Sequence, residues 1–568
     1  MTSHLRIQGA PPARWDSSPP LLPVIDGHRH PNGPYTVAAA LLHHLVPRAL
    51  ERSHDLVAAH DIEIRAAAPG LAGLVPARRV AVDSALPDDE RILVPAPRRT
   101  LRLANGLAEF VAAAVPPGSV VVVCNAAEAD PTDTELLEVL ARRIPPGVLR
   151  LVVYSAGPAP PPDTRTAARL WEQVDRCVRE GFLYAVVELG ERGLTLTEPG
   201  GELWWRFAQR AATALGGLGR RAEARALWER VRGHSQDPAV HAACAYGIAM
   251  LDARDPDPAR RDLGRARAWL NQAVAISRLL PDPVERAFKL GFDRNALALV
   301  EWRQGRSQAA LALVESALEL ADKELSGRHP QHRMVLLANR ARLLAATGRA
   351  EEALADYTAA IAVDPAFPDN YLERGNLLLA LRRHDEALAD YESAITAGPP
   401  LPEAYYNRAE LRTTLGDLDA ALADLGHVIE LDPAYLDAYI NRAGLLAGLE
   451  RDAEAAADVE AGLALAPGNP HLLSVLGQLE TAAGRFAEAE SAFGAAIAAA
   501  PGLAAAWANR GVMRYAAGDL TGALADLDRA IDLEPHPDLH LNRATALREL
   551  GRTAEAAAAE REAARLTP

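Results

Sequence analysis

The chain has 568 residues, of which 49% are hydrophobic, 5% aromatic and 24% charged, a composition that excludes global disorder and is typical of a mostly helical protein with at least two packed regions. Its formal net charge of −15 repels nucleic acid, and no dense Lys/Arg run offsets it. No apolar run could span a bilayer and no signal peptide pattern is present, so we expect a cytoplasmic protein that binds neither nucleic acid nor membrane.

The N-terminal part of the chain is rich in Pro breaks and short β-branched runs. We expect residues 1–22 to be a tail. Residues 119–123 hold four consecutive valines and predict a buried strand, and a helix over residues 132–143 and a strand over 148–154 follow. Alternating strands and helices predict a small α/β domain over residues 23–200.

The segment after the valine-rich strand resembles the signal-transduction ATPases with numerous domains, the STAND branch of the AAA+ class. In that family the strand ends in paired acids, and a Leu-Leu helix ending in Arg-Arg follows. Residues 136–137 and 142–143 fit this register, but Cys124 and Asn125 replace the acids. Because Mg²⁺ prefers anionic oxygens, the resemblance implies a degenerate NTPase-like domain.

The same resemblance places the phosphate loop at residues 26–36, after a short apolar strand. Pro34 stands where the family has its lysine and has no N–H to offer a phosphate. We therefore expect no cofactor and no ATP hydrolysis, with retained nucleotide or anion binding as an alternative.

A second alternative concerns His28 and His30, which follow this apolar strand one residue apart. The pair resembles the first metal ligands of amidohydrolases, but such a barrel needs further ligands on later strands. Too few residues precede the helical region for that barrel. We expect no metal and no catalytic residues, and His28 and His30 remain the candidate ligands if a metal binds.

Residues 201–333 read as three irregular helix pairs. The first spans residues 204–232, and the others span 239–280 and 284–325. Their longer connections depart from strict repeat spacing.

Residues 334–568 contain seven repeats, and the last helix, over residues 554–566, is predicted to be a solvent-facing C-terminal cap. Six prolines recur every 34 residues from Pro365 to Pro535, small residues form one column, and larger residues form another. One column marks the turn between two helices: Gly348, Arg382, Gly416, Glu450, Gly484, Gly518 and Gly551. The pattern resembles the tetratricopeptide repeat (TPR). The predicted fold is mainly α, a right-handed solenoid of TPR helical hairpins preceded by the smaller α/β domain.

One column inside the first helix of each pair is mostly asparagine: Asn339, Asn407, Asn441, Asn509 and Asn542, interrupted by Glu373 and Val475. Asn is a mediocre helix former. At a similar position in TPR-containing N-acetylglucosamine transferases, Asn side chains line the groove, and this resemblance implies that they bind a peptide backbone. The alternative is a repeat consensus in which each Asn is solvated or bonded locally.

The next column is arginine in six of the seven repeats, and an Asp follows sixteen residues later in five of them. The repeat with Leu476 in place of Arg has Ala492 in place of Asp. This joint loss favours an Arg–Asp pair within each repeat over an anion-binding stripe. Arg543 faces Ala559 and could be free or could use Glu560.

Together these patterns predict a non-catalytic scaffold that holds a protein or peptide in the groove of the repeats. Assembly into a homo-oligomer is left open by the sequence. One alternative is a component of a peptide-modification or natural-product pathway that binds or modifies a peptide. Another is a ligand-sensing regulator of STAND type without a DNA-binding domain.

Overall fold

The computed structural model describes residues 3–11, 22–29, 34–79, 98–159, 164–325 and 327–566. The chain divides into two compact units, Met1–Leu401 and Pro402–Pro568. In the described ranges, no helix is long and apolar enough to cross a membrane.

A four-stranded parallel sheet lies in the first unit, in the order β1-β4-β3-β2. Its strands are β1 Leu5–Ile7, β2 Ile25–Asp26, β3 Ser119–Cys124 and β4 Leu149–Tyr154. Strand β3 is buried along its whole length, as its unbroken apolar sequence predicts. A small sheet region therefore precedes the helix pairs, in agreement with the predicted fold class.

The expected tail over residues 1–22 contains a strand. Residues 5–7 form β1 and pair in parallel with β4, with Leu5 opposite Val152 and Ile7 opposite Tyr154. Three residues are too few to show an alternating pattern in the sequence, and their pairing partner lies about 147 residues further along the chain. The sequence alone therefore does not predict this edge strand.

Among the described residues, seven α-helices accompany the sheet or follow it. They are α1 Thr36–Arg52, α2 His54–Ala59, α3 Asp61–Ala67, α4 Arg99–Ala114, α5 Pro131–Arg143, α6 Ala167–Glu180 and α7 Leu183–Thr195. Helix α6 ends at Gly181 with φ of 73°, a left-handed conformation that suits glycine. The apolar core of this region continues into the next helices through Trp204 and Phe207.

Three helix pairs occupy the predicted irregular region. They are α8 Glu202–Gly217 with α9 Arg221–His234, α10 Pro238–Ala253 with α11 Leu263–Ser277, and α12 Pro283–Arg303 with α13 Ser307–Glu324. Each pair packs as an antiparallel hairpin.

Fourteen helices make up the seven regular repeats. The pairs are α14 Pro330–Ala346 and α15 Ala350–Val363, α16 Pro368–Ala380 and α17 His384–Ala397, α18 Pro402–Leu415 and α19 Leu418–Leu431, α20 Leu436–Gly448 and α21 Asp452–Leu465, α22 Pro470–Ala482 and α23 Phe486–Ala499, α24 Ala504–Ala516 and α25 Leu520–Leu533, and α26 Pro537–Glu549 and α27 Thr553–Leu566.

Small residues let the two helices of a repeat approach each other closely. A Cβ atom added at Gly477 would lie 2.7 Å from the ring of Phe493 on the partner helix. The turn column adopts positive φ throughout, including the two non-glycine residues, Arg382 and Glu450, each with φ of 58°. Glycine is favoured there because other L-residues are strained in this conformation.

Candidate functional site

The first helices of the repeats in Pro402–Pro568 each have one buried side and one open side. In α20, Ala438 and Ala443 are fully buried, whereas Asp437 and Gly444 are exposed and Asn441 is half-buried. The open side that carries Asn441, together with its equivalents on α18, α22, α24 and α26, is called the first-helix face below.

The asparagine column lies on this side of the helices. Asn407, Asn441 and Asn509 are half-buried, and Asn542 is exposed. Asn339, in the other compact unit, is also half-buried on α14. The polar column is interrupted at Val475, which is buried.

Three of these amides donate a hydrogen bond to the preceding first helix. The Nδ2 of Asn441 donates to the hydroxyl of Tyr406 at 2.8 Å. The Nδ2 of Asn509 donates to the hydroxyl of Ser474 at 3.4 Å, and that of Asn339 donates to Asn295 at 3.0 Å. These asparagines therefore form local hydrogen bonds within the protein, as the alternative to peptide binding predicted. This bonding uses only part of the capacity of an amide, which has two N–H donors and an acceptor oxygen.

A cluster around Tyr406 adds residues that the asparagine pattern does not identify. Its hydroxyl donates to Glu410 Oε1 at 3.2 Å while accepting the bond from Asn441. The rings of Tyr406 and Tyr435 lie 5.2 Å apart. Asp437 is exposed on α20, about one helical turn before Asn441. These residues, Tyr406, Glu410, Tyr435, Asp437 and Asn441, are the Tyr406 cluster.

In the sequence, Tyr406 lies in the repeat column that immediately precedes the asparagine column. That column reads Ala338, Leu372, Tyr406, Ile440, Ser474, Ala508 and Leu541. A single tyrosine among mostly apolar residues carries no periodicity, so a search for repeated residues does not find it.

The predicted Arg–Asp pairs are confirmed in all five repeats that have both residues. In each, Nε and Nη2 of the arginine donate to the two carboxylate oxygens, at 2.6 to 2.9 Å. The pairs are Arg340–Asp356, Arg374–Asp390, Arg408–Asp424, Arg442–Asp458 and Arg510–Asp526. This column therefore holds helices together and does not present free cations.

Arg543 is neither free nor paired with Glu560. Its Nε donates to Asp528 Oδ1 on the preceding helix at 2.5 Å, whereas Glu560 pairs with Arg548. Tyr405 and Trp507 lie beside the paired arginines, with ring centroids 5.4 Å from the guanidinium of Arg408 and 5.0 Å from that of Arg510. These aromatic residues pack on the ion pairs.

The carboxyl ends of β2 and β3 show how the residues in place of the NTPase acids are used. Cys124 Sγ donates to the Ile25 carbonyl at 3.4 Å, and burial raises the pKa of its thiol. Asn125 Nδ2 donates to Asp26 Oδ1 at 2.9 Å and to the Pro158 carbonyl at 2.8 Å. Both side chains bond within the protein.

The start of α1 is the place where the resemblance puts a phosphate, but a side chain binds there. The amides of Val37 and Ala38 donate to the two carboxylate oxygens of Asp133 at 3.0 and 3.1 Å. The Tyr35 amide donates to Thr132 Oγ1 at 3.1 Å. Burial raises the pKa of Asp133 to about 7, against the opposing effect of its amide donors. The STAND/AAA+ resemblance finds no support in this geometry, because an internal carboxylate already engages the helix N-terminus.

Of the two histidines proposed as metal ligands, the structure describes His28. His28 is buried, and its backbone amide donates to Asp26 Oδ1 at 3.0 Å. His30 lies outside the described residues. Within the described part of the chain, no group of three or more His, Cys, Asp or Glu side chains could hold a metal ion.

Comparison with protein families identifies the repeats. Three tetratricopeptide repeat models match the chain. The first matches at residues 339–402, 475–535 and 514–568, the second at residues 293–366, and the third at residues 402–435. Tetratricopeptide repeats therefore form part of this chain, and a protein-interaction scaffold is the class of function that they support. No curated protein matches the chain.

Several solved structures are similar in part. A tetratricopeptide repeat protein from Parabacteroides merdae ATCC 43184 is 23% identical, with 41% of this chain and 93% of that chain covered and a TM-score of 0.37. YrrB, a TPR protein with an unusual peptide-binding site, is 24% identical, with coverages of 34% and 97% and a TM-score of 0.29. The APC/C hetero-tetramer Cut9-Hcn1 is 15% identical, with coverages of 70% and 93% and a TM-score of 0.36.

Proposed function

We propose that this chain is a non-catalytic scaffold that binds an extended peptide segment of a partner protein on the first-helix face of Pro402–Pro568. The asparagines of that face, Asn407, Asn441, Asn509 and Asn542, bind the peptide backbone. Asn339 is the corresponding residue of the other unit.

The observation that carries the proposal is the hydrogen bonding of Asn441 and Asn509. In each, Nδ2 donates to the neighbouring first helix, which fixes the direction of the amide plane. Within the described residues, no group of the chain donates to either Oδ1. The oriented amide of each residue can therefore accept an N–H from an added backbone at Oδ1. Asn509 can also offer its second N–H to a carbonyl, whereas the Asn441 amide donates to Glu410 as well, at 3.5 Å.

Space is also available on this face. A Cβ atom added at Gly444 or at Gly448 would meet no atom within 4 Å. Both glycines lie on α20, one and two turns beyond Asn441. A peptide that contacts the asparagine can therefore pass over α20 without displacing a side chain at these positions.

In this proposal the α/β region has a structural role. Its NTPase-like positions are occupied by bonds internal to the protein: Cys124 with Ile25, Asn125 with Asp26, and Asp133 with the start of α1. No further group is required there for a peptide to bind the repeats.

The test is selection of peptides from a random 12-residue display library on immobilised full-length protein. The wild type is compared with the combined Asn407→Ala, Asn441→Ala and Asn509→Ala variant. A matched control carries Glu392→Ala, Glu460→Ala and Glu488→Ala, three exposed residues on second helices. Circular dichroism and thermal unfolding establish that all three proteins are folded.

We expect the wild type and the control to enrich the same peptides. Binding of those peptides should weaken at least about 10-fold in the asparagine variant, because each lost hydrogen bond is worth about 1 kcal/mol. Equal binding by a folded asparagine variant would refute the assignment of these residues. Failure of the wild type to enrich any peptide would refute peptide binding itself.

A further inference from the structure

The arginines of the first helices in Pro402–Pro568 form ion pairs with acids from neighbouring helices. Besides the three Arg–Asp pairs of this unit, Arg412 pairs with Asp424 at 2.7 Å and Arg514 pairs with Glu490 at 2.6 Å. Positive charge on these helices therefore lies within intramolecular pairs. Arg408 and Arg412 share the one carboxylate of Asp424, and their side chains are only 14% and 21% exposed.

Two carboxylates on the face have no such partner. Glu410 on α18 and Asp437 on α20 are exposed, and within the described residues neither forms an ion pair. Glu410 receives neutral donors, the Tyr406 hydroxyl at 3.2 Å and the Asn441 amide at 3.5 Å. Neutral donors orient a carboxylate but do not cancel its charge, so this part of the face is anionic.

The Tyr406 hydroxyl responds to that anionic field. Burial, followed by the charges of Glu410 and Asp437, raises the pKa of Tyr406. The two acids lie on successive first helices of the face, Glu410 on α18 and Asp437 on α20. The rings of Tyr406 and Tyr435, 5.2 Å apart, add aromatic surface beside the carboxylates.

The face continues on α22 and α24 with a different character. Asn509 and Ser474 are neutral, and Val512 is 43% exposed. On α26, Leu541 is 47% exposed. One end of the face is thus acidic and aromatic, and the other end is neutral with exposed apolar side chains.

We propose that the peptide bound here carries a Lys or Arg side chain that enters the Tyr406 cluster, where Glu410 and Asp437 bind its charge and Tyr406 and Tyr435 pack against its stem. This inference rests on the proposed function and names the chemical class of the partner. Charge complementarity selects a cationic side chain, and aromatic rings beside carboxylates are a favourable site for guanidinium and ammonium groups.

The experiment uses the peptides enriched from the same random library on the full-length protein. Selection is repeated on a Glu410→Gln and Asp437→Asn variant and on a matched control, Glu460→Gln and Asp452→Asn. The control removes the same charge from exposed positions on α21, a second helix. The affinity of each enriched peptide is then measured at low and high salt, beside a copy with Lys and Arg replaced by Gln.

We expect Lys or Arg to be enriched at a fixed peptide position in the selections on the wild type and the control. This enrichment should be lost in the selection on the Glu410→Gln and Asp437→Asn variant. The wild-type peptide should bind this variant about 5- to 10-fold more weakly, and its wild-type affinity should fall with salt. Enriched peptides without a basic position, bound equally by the variant and still dependent on Asn441, would overturn the inference and leave the proposed function intact. No enrichment by the wild type would overturn both.

Discussion

Buried carboxylates stabilise both the repeats and the α/β region, but their partners lie at very different distances along the chain. Asp458 binds Arg442, sixteen residues earlier and on the facing helix of the same repeat. Asp133 binds the amides of Val37 and Ala38, which precede it by 96 and 95 residues. The first contact recurs in five repeats, whereas the second occurs once.

The sequence separation of the two partners determines how much of the structure depends on each contact. In the repeats, the loss of one pair affects one hairpin and its neighbours, since each repeat contacts mainly adjacent repeats. In the α/β region, one carboxylate joins α1 to α5 across a long stretch of chain. We therefore expect local effects in the first case and regional effects in the second.

The largest effect should follow Asp133→Ala. The substitution leaves two buried amides at the start of α1 without acceptors, which should lower the free energy of unfolding of this region by about 3–4 kcal/mol. Hydrogen exchange measured by mass spectrometry should accelerate in residues 36–52 and 131–143. Exchange in residues 452–465 is the internal control, and unchanged exchange in residues 36–52 would contradict the role of Asp133.

Asp458→Ala should have the next largest effect, confined to the repeats. Removing one partner leaves the largely buried Arg442 guanidinium unpaired and should cost about 2–3 kcal/mol. The double variant Arg442→Leu and Asp458→Ala copies the repeat that has Leu476 and Ala492, and should recover most of this loss. If the double variant were as unstable as the single one in chemical denaturation, the pair would not explain the joint substitution.

His332 offers a pH-dependent comparison in the irregular helix pairs. Its ring is buried, stacks on Phe292 at 4.5 Å, and burial lowers its pKa to about 3. The unfolded chain takes up a proton below about pH 6.5 and the folded chain does not, so stability falls as the pH decreases through that range. Between pH 7 and pH 5 the wild type should lose about 2 kcal/mol that a His332→Phe variant retains. Identical pH profiles for the two proteins would contradict this account.

The smallest effect should come from the turn column. Glu450 has a left-handed backbone conformation at a position where five of the seven repeats have glycine. Glu450→Gly removes the strain of this conformation and should raise the free energy of unfolding by about 1 kcal/mol. Gly484→Ala in the next repeat should lower it by a similar amount. Thermal unfolding of both variants checks the sign, and a destabilising Glu450→Gly would refute the strain argument.

The sequence predicted the repeats well because each contact that matters there recurs at a fixed interval. The Arg–Asp pairs, the small residues at close helix approaches and the turn column could all be identified by comparing one repeat with the next. Arg543 could not be assigned, because its partner Asp528 lies on the preceding repeat and the pairing occurs once.

The α/β region was predicted only in outline. Its valine-rich strand and following helix were correct, since both depend on local sequence. Strand β1 and the carboxylate at the start of α1 depend on partners about 147 and 96 residues away, and no local pattern identifies them. The candidate site shows the same division: the asparagine column was visible from its period, and the single Tyr406 was not.

Binding of peptides to the first-helix face can be detected by site-specific photo-crosslinking. A benzophenone amino acid is placed at Gly444 on that face or at Gly494 on α23, a second helix. An added Cβ meets no atom within 4 Å at either position. We expect an enriched peptide to crosslink at position 444 and not at position 494. Crosslinking at 494 alone, or at neither position by proteins that bind the peptide, would contradict this expectation.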